Sequence, residues 1–239
     1  MTTKKNILSL FLILTTMFVF GQQMTLNEWN RLEKKFQNLV PKYGDAPKDK
    51  DLQEADEKLL KKALEIDATH QKASAHFIRL GWNYFSKGDL KTAMCRFNQA
   101  FLADTSNTDI YWGYGAIYLT LGDNERAKKM YVEGLGLNPK NTNILTDFGT
   151  YFMTEYFDNK SLEENQKQSM LDSAVFYMTK SFELDSKNIN TSFKLSTCYY
   201  YKNDCANAWK FYDVYKTLNG DAPGDKYYFA DLKTKCKRD

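Results

Sequence analysis

Residues 80–100 read LGWNYFSKGDLKTAMCRFNQA, and residues 114–134 read YGAIYLTLGDNERAKKMYVEG. Superposed at an offset of 34 residues, Gly81 meets Gly115, Tyr84 meets Tyr118, Gly88 meets Gly122, Ala93 meets Ala127, Phe97 meets Tyr131 and Ala100 meets Gly134. The same offset carries on to Gly149 and Phe152, and it pairs Thr105 with Pro139. A repeat of this length is one supersecondary unit that cannot bury its apolar face alone, so it decides the architecture before any single motif does. Small residues at Gly81 and Ala93 let two helices of a hairpin approach closely, while Tyr84 and Phe97 fill the space beside them. Gly88-Asp89 and Gly122-Asp123 fit the short turn, with glycine ending the first helix and aspartate capping the second. Pro139 stops a helix after its last turn. Each hairpin keeps an apolar face that only a neighbouring hairpin can cover, so the units must stack.

The spaced residues Phe77, Leu80, Gly81, Tyr84, Gly88, Ala93, Phe97 and Ala100 resemble the tetratricopeptide repeat, as do Tyr111, Gly115, Tyr118, Gly122, Ala127, Tyr131, Gly134 and Pro139. The resemblance, to exported members of bacterial type, implies an all-α fold: a right-handed superhelical solenoid of antiparallel helix hairpins with a C-terminal capping helix. Clear repeats occupy 74–107 and 108–141. A degenerate third, 142–188, keeps Phe148, Gly149 and Phe152, but Ala174 follows Gly149 by 25 residues, against 12 from Gly81 to Ala93. Met170, Leu171, Ala174, Val175 and Met178 keep helical spacing, so the extra residues within 153–172 are expected to lengthen both helices, with a protruding loop as the alternative. A degenerate fourth, 189–218, has Leu195, Ser196 in the glycine position, Tyr199, Ala208 and Tyr212, with Asn203 able to take the left-handed turn conformation. Upstream, ADEKLLKKALEID at 55–67 resembles a second helix. Its expected first-helix partner runs from Leu26 to Val40, on the apolar stripe Leu26, Trp29, Leu32, Phe36, Leu39 and Val40. The organisation is then 22–50 as N-terminal helix and linker, 51–218 as repeats and 219–239 as the closing helix.

The composition agrees with a helical domain. Among 239 residues, 43% are apolar and 15% aromatic, with only 12 Gly and 4 Pro, which excludes a long disordered chain. Lys4 and Lys5, the apolar run Ile7 to Phe20, and Val19-Phe20-Gly21 read as a secretory signal peptide over 1–21, cut after Gly21. The run is shorter than the roughly 17 to 25 residues that span a bilayer. Export to the periplasm or the extracellular space is therefore expected, with membrane association only through a partner. The formal charge of +3 falls when two lysines leave with the signal, which argues against a nucleic-acid surface. In an oxidising compartment the four cysteines can pair. Two readings stand for them: separate packed thiols, or one bridge among Cys198, Cys205 and Cys236. Cys198 and Cys205 are the candidate pair, facing each other across a predicted helix turn.

Catalytic and cofactor signatures are missing. There is no Gly-x-Ser-x-Gly elbow, phosphate loop, His-Glu-x-x-His, dinucleotide fingerprint or calcium loop, and Cys-x-x-Cys does not occur. The two histidines, His70 and His76, fit surface or capping roles. No enzyme, cofactor or metal is expected. If the units stack as the resemblance implies, part of each first helix faces the inner groove. Those positions hold Ile78, Arg79, Trp82 and Phe85 in the first clear repeat, Asp109, Trp112, Ala116 and Leu119 in the second, and Asn143, Thr146, Asp147 and Thr150 in the third. The fourth repeat supplies Phe193, Lys194, Thr197, Tyr200 and Tyr201. An aromatic patch beside a cation suits a peptide or helix anchored by apolar residues. The lysine, asparagine and arginine clamp with which some family members hold chaperone C-termini is absent. The expected function is a protein-interaction scaffold, with glycan binding by groove aromatics as the alternative and an enzyme using the 153–172 insertion ranked third.

Overall fold

The computed structural model describes residues 24–219 and 226–238, all in helices, turns and connecting segments. The expected signal peptide and its cut after Gly21 lie outside the described residues. The N-terminal segment contains α1 (Leu26–Glu33) and two short 3-10 turns (Gln37–Leu39 and Pro41–Asp45). A solitary α2 (Lys50–Asp67) follows. Four hairpins come next: α3 (His70–Ser86) with α4 (Leu90–Ala103), α5 (Asp109–Thr120) with α6 (Asn124–Leu137), α7 (Thr142–Asp158) with α8 (Glu164–Leu184), and α9 (Ile189–Tyr201) with α10 (Cys205–Asn219). Helix α11 (Lys226–Lys235) closes the chain.

Each hairpin is held where a glycine of the first helix meets a large side chain of the second. A Cβ added to Gly81 would come within 3.0 Å of the Phe97 ring, one at Gly115 would strike Tyr131, and one at Gly149 would strike Met178. In the fourth hairpin Ser196 stands in this place, and its hydroxyl donates to the Ala208 carbonyl at 2.7 Å. The turns follow the sequence reading: Gly88, Gly122 and Asn203 take φ of 77°, 76° and 60°. Asp89 and Asp123 accept from the N–H groups of Thr92 and Arg126, each at 3.0 Å. The extra residues of the third unit go into helix. Helix α7 has 17 residues and α8 has 21, against 12 and 14 in α5 and α6.

Successive first helices, α3, α5, α7 and α9, touch one another, whereas the second helices pack on the first helices to either side. The stack is therefore tight on the first-helix side, the inner face. On the outer face the second helices splay, leaving furrows floored by a first helix.

The N-terminal segment departs from the expected pairing with α2. Helix α1 ends at Glu33, and the segment lies in the outer furrow between α4 and α6. Trp29 is fully buried there and Leu39 nearly so. Asn98 of α4 explains the choice. Its amide donates to the carbonyls of Asn38 and Val40, and its oxygen accepts from the Lys42 N–H, all at 2.9 Å. Tyr114 of α5 joins this clasp through the Asn98 oxygen at 2.5 Å. At one end Glu33 accepts from Arg126 (2.5 Å) and from the Tyr118 hydroxyl (2.8 Å), and at the other Lys42 pairs with Glu133 at 2.7 Å. Burial, with the Glu33 carboxylate beside it, pushes the Tyr118 phenol well above its ordinary value. Residues 42–45 all take positive φ, between 51° and 71°. A left-handed run costs roughly 1–2 kcal/mol for each non-glycine residue, which this clasp offsets.

At the other end, the disulfide differs from the candidate pair. Cys205 bonds to Cys236, with Cα atoms 5.2 Å apart, and Cys198 is a free, buried thiol. Cys198 lies in the hairpin interior against Met178, while Cys205 begins α10, where the returning end of α11 meets it.

Candidate functional site

The inner face is built from one side of each first helix. Ile78, expected in the groove, is only 7% exposed and belongs to the core beneath it. Arg79 is exposed. Trp82 is half-buried, edge-on to Phe97 at 5.5 Å and to Phe85 at 5.2 Å, and its ring lies 3.9 Å from that of Trp112. The Trp112 indole N–H donates to Asp147 Oδ2 of α7 at 2.6 Å, and Asp147 Oδ1 accepts from Lys194 of α9 at 2.9 Å. A continuous row, Trp82, Trp112, Asp147 and Lys194, thus links all four first helices. Asp147 was among the groove positions read from the third repeat, but its pairing with Trp112 and Lys194 was not. The signal for it was present, since a carboxylate stands in a groove position between an indole and a lysine donor.

Beyond Lys194 the row meets a cavity of about 410 Å³ between α7 and α9, lined by Thr150, Met153, Thr154, Phe157, Phe193 and Lys194 among others. The lengthened end of α7 supplies part of its wall. The hydroxyls of Thr150, Thr154 and Thr197 donate to the carbonyls of Thr146, Thr150 and Phe193 four residues back, so these protons are spent within the helices. Tyr201 lies against Phe157 at 4.7 Å and Tyr156 at 5.9 Å, forming an aromatic edge to this region. Phe193, which also lines the cavity, and Tyr200 lie beside the closing helix. Phe193 packs on Tyr215 and Tyr228, and Tyr200 packs on Tyr228 with the Lys235 ammonium 4.2 Å from its ring. The site residues therefore form two groups, one around the indole pair and one around the α7–α9 cavity.

No group of His, Cys, Asp and Glu among the described residues is arranged to hold a metal ion. No described helix is long and apolar enough to cross a membrane. His70 Nδ1 lies 2.9 Å from the Ala103 carbonyl and His76 Nδ1 lies 2.9 Å from Asp67, so each ties neighbouring helices together.

The glycine–aromatic hairpin packing recurs in register with the sequence repeat, and the tetratricopeptide repeat family model matches residues 108–141, the hairpin of α5 and α6. The hairpin of α5 and α6 is thus a tetratricopeptide repeat. Among solved structures, a thermophilic TPR protein of Thermus thermophilus superposes with a TM-score of 0.59 at 14% identity, covering 69% of this chain and 84% of that one. A monomeric IFIT1 variant, solved with the capped oligonucleotide m7Gppp-AAAA, gives a TM-score of 0.51 at 14% identity. The alignment covers 72% of the present chain and 38% of IFIT1. At these identities the likeness is one of fold. No curated protein sequence matches the chain.

Proposed function

We propose that this tetratricopeptide-repeat chain is a non-enzymatic interaction scaffold of the periplasm or cell envelope, holding a peptide or partner protein on the inner face of its solenoid. The observation that carries the reading is the row from Trp82 through Trp112 and Asp147 to Lys194. It crosses four hairpins on the face that the N-terminal segment leaves open. Aromatic rings fixed by neighbouring helices lose little freedom on binding and make good anchors. The back-bonded threonines of the α7–α9 cavity favour an apolar side chain over a sugar, whose hydroxyls need donors and acceptors. Export is supported by the basic and apolar start of the sequence, and the Cys205–Cys236 bond suits an oxidising compartment.

The test is capture from envelope extract by the exported chain, with Trp112→Ala and Lys194→Glu variants as controls. The reading expects a partner retained by the wild type and lost by both variants, and a mature N-terminus at Gln22. A partner retained equally by all three contradicts the site. Specific retention on a glycan array, lost in Trp112→Ala, would favour sugar recognition instead.

A further inference from the structure

The outer face has a second furrow, one repeat beyond the one that the N-terminal segment fills. Its equivalences follow from packing. Along the first helices the offset is 34 residues, so Tyr114 corresponds to Phe148. On α8, where Met178 meets Gly149 as Tyr131 meets Gly115, the offset from α6 is 47. Met130 then corresponds to Tyr177, and Glu133 to Lys180. On the near wall, Asn98 of α4 corresponds to Val132 of α6.

The polar clasp of the first furrow is thus replaced by apolar groups. Asn98 and Tyr114, which bind the backbone of residues 38–42, become Val132 and Phe148. Glu133, which holds the Lys42 ammonium, becomes a cation, Lys180, whose ammonium lies 4.2 Å from the exposed Phe176 ring. Val132 and Phe176 are 53% and 52% exposed, large apolar side chains that a solvated outer face does not need. Between α6 and α8 is a cavity of about 260 Å³ lined by Val132, Leu135, Pro139, Phe148, Tyr177 and Lys180, among others.

From this we infer that the α6–α8 furrow is a second docking groove, for a segment of a partner protein that is apolar along its length and carries a carboxylate at the register where the N-terminal segment carries Lys42. The filled furrow shows what a groove of this shape accepts, namely a short helical segment anchored by a large side chain. The left-handed turn, by contrast, depends on the Asn98 and Tyr114 clasp and has no such support here. The exchange of Glu133 for Lys180 sets the sign of the charge. This surface lies on the face opposite the indole row and does not depend on that row's role.

A pair of fluorescein-labelled peptides spanning residues 26–45 provides the probe, one with the native Lys42 and one with Lys42→Glu. Anisotropy titrations of the full mature chain should show saturable binding, with the Lys42→Glu peptide preferred by about threefold, as for an exposed charge pair. In Lys180→Glu the preference should invert. Val132→Asp should weaken both peptides by about tenfold or more, since it places a charge against the apolar segment. Both substitutions are at exposed positions, and unchanged circular dichroism melting confirms the fold. Trp112→Ala should leave these affinities unaltered. Absence of saturable binding overturns the proposal, as does a preference that Lys180→Glu fails to change. A reversible dimer in sedimentation velocity that Val132→Asp abolishes also overturns it, because the occupant is then a second copy.

Discussion

The two ends of this solenoid solve one problem differently. Every stack of hairpins leaves apolar surface that no further hairpin covers. The N-terminal half, through α7, forms one continuous core from Trp29 to Tyr151, sealed from the side by the segment in the α4–α6 furrow. The C-terminal half breaks into two smaller cores, one around Met178 and Cys198 and one around Tyr212 and Leu232. It is sealed by α11 across the end and by one covalent bond. The first seal works through a buried indole and a polar clasp that reaches many residues. The second works through a cross-link that holds even where packing is thinner. Clear repeats tolerate a non-covalent strap, and degenerate ones are stapled.

This contrast can be broken at either seal. Trp29→Ala should have the largest effect, about 3–5 kcal/mol as for other large aromatic truncations, seen as a lowered midpoint in chemical unfolding. Hydrogen exchange should rise over α4–α6 and change little in α9–α11. An even rise along the chain would mean that the two cores are not separable. Cys236→Ser should cost about 2–4 kcal/mol, as expected for a closed loop of this length, with the loss of protection confined to α10 and α11. On unreduced, denatured protein the thiol count should be two, Cys95 and Cys198. In the native protein Cys198 should resist alkylation at pH 8, because burial pushes its thiol up to about 12.

Smaller effects sharpen the comparison. The Asn207 side chain and backbone N–H hold the Asp204 carboxyl below its ordinary value at the start of α10. A depressed folded value contributes stability that is full above the unfolded value and is lost as pH falls through the folded one. Asp204→Ala should therefore lower stability by about 1 kcal/mol at pH 7, and the gap to wild type should close below about pH 4. Thermal melts across this range would show it. In the N-terminal strap, Asp45 takes φ 51° with its side chain largely in solvent. Asp45→Gly should raise the melting point, by about 0.5–1 kcal/mol of stability, since glycine adopts that conformation without a Cβ clash.

The hairpin framework was legible because its determinants are local. Gly81 and Phe97, or Gly122 and Asp123, lie within one hairpin, and their spacing encodes their contact. The strap was not legible as such. The stripe from Leu26 to Val40 resembles a helix, but Asn98, 60 residues from Asn38, breaks it by binding backbone that a helix would have paired internally. Spacing likewise could not choose between Cys198 and Cys236 for Cys205, because the choice depends on where α11 returns. In the groove, the separation of core and surface side chains was too sharp. Ile78 is interior, and Trp82 is both, facing the groove while resting on Phe97. Asp147 was legible as a groove position, but its link to Trp112 and Lys194 became visible only when α7 was placed between them.

The central claim is that the N-terminal segment occupies the outer face and leaves the inner row for a partner. Placing the photo-cross-linking residue p-benzoylphenylalanine at Thr150, in the wall of the inner cavity, and irradiating the mature chain in envelope extract tests it most directly. The account predicts an intermolecular adduct that Lys194→Glu removes, and no internal adduct to residues 26–45. A cross-link from position 150 into residues 26–45 would show that the segment fills its own groove and would contradict the account.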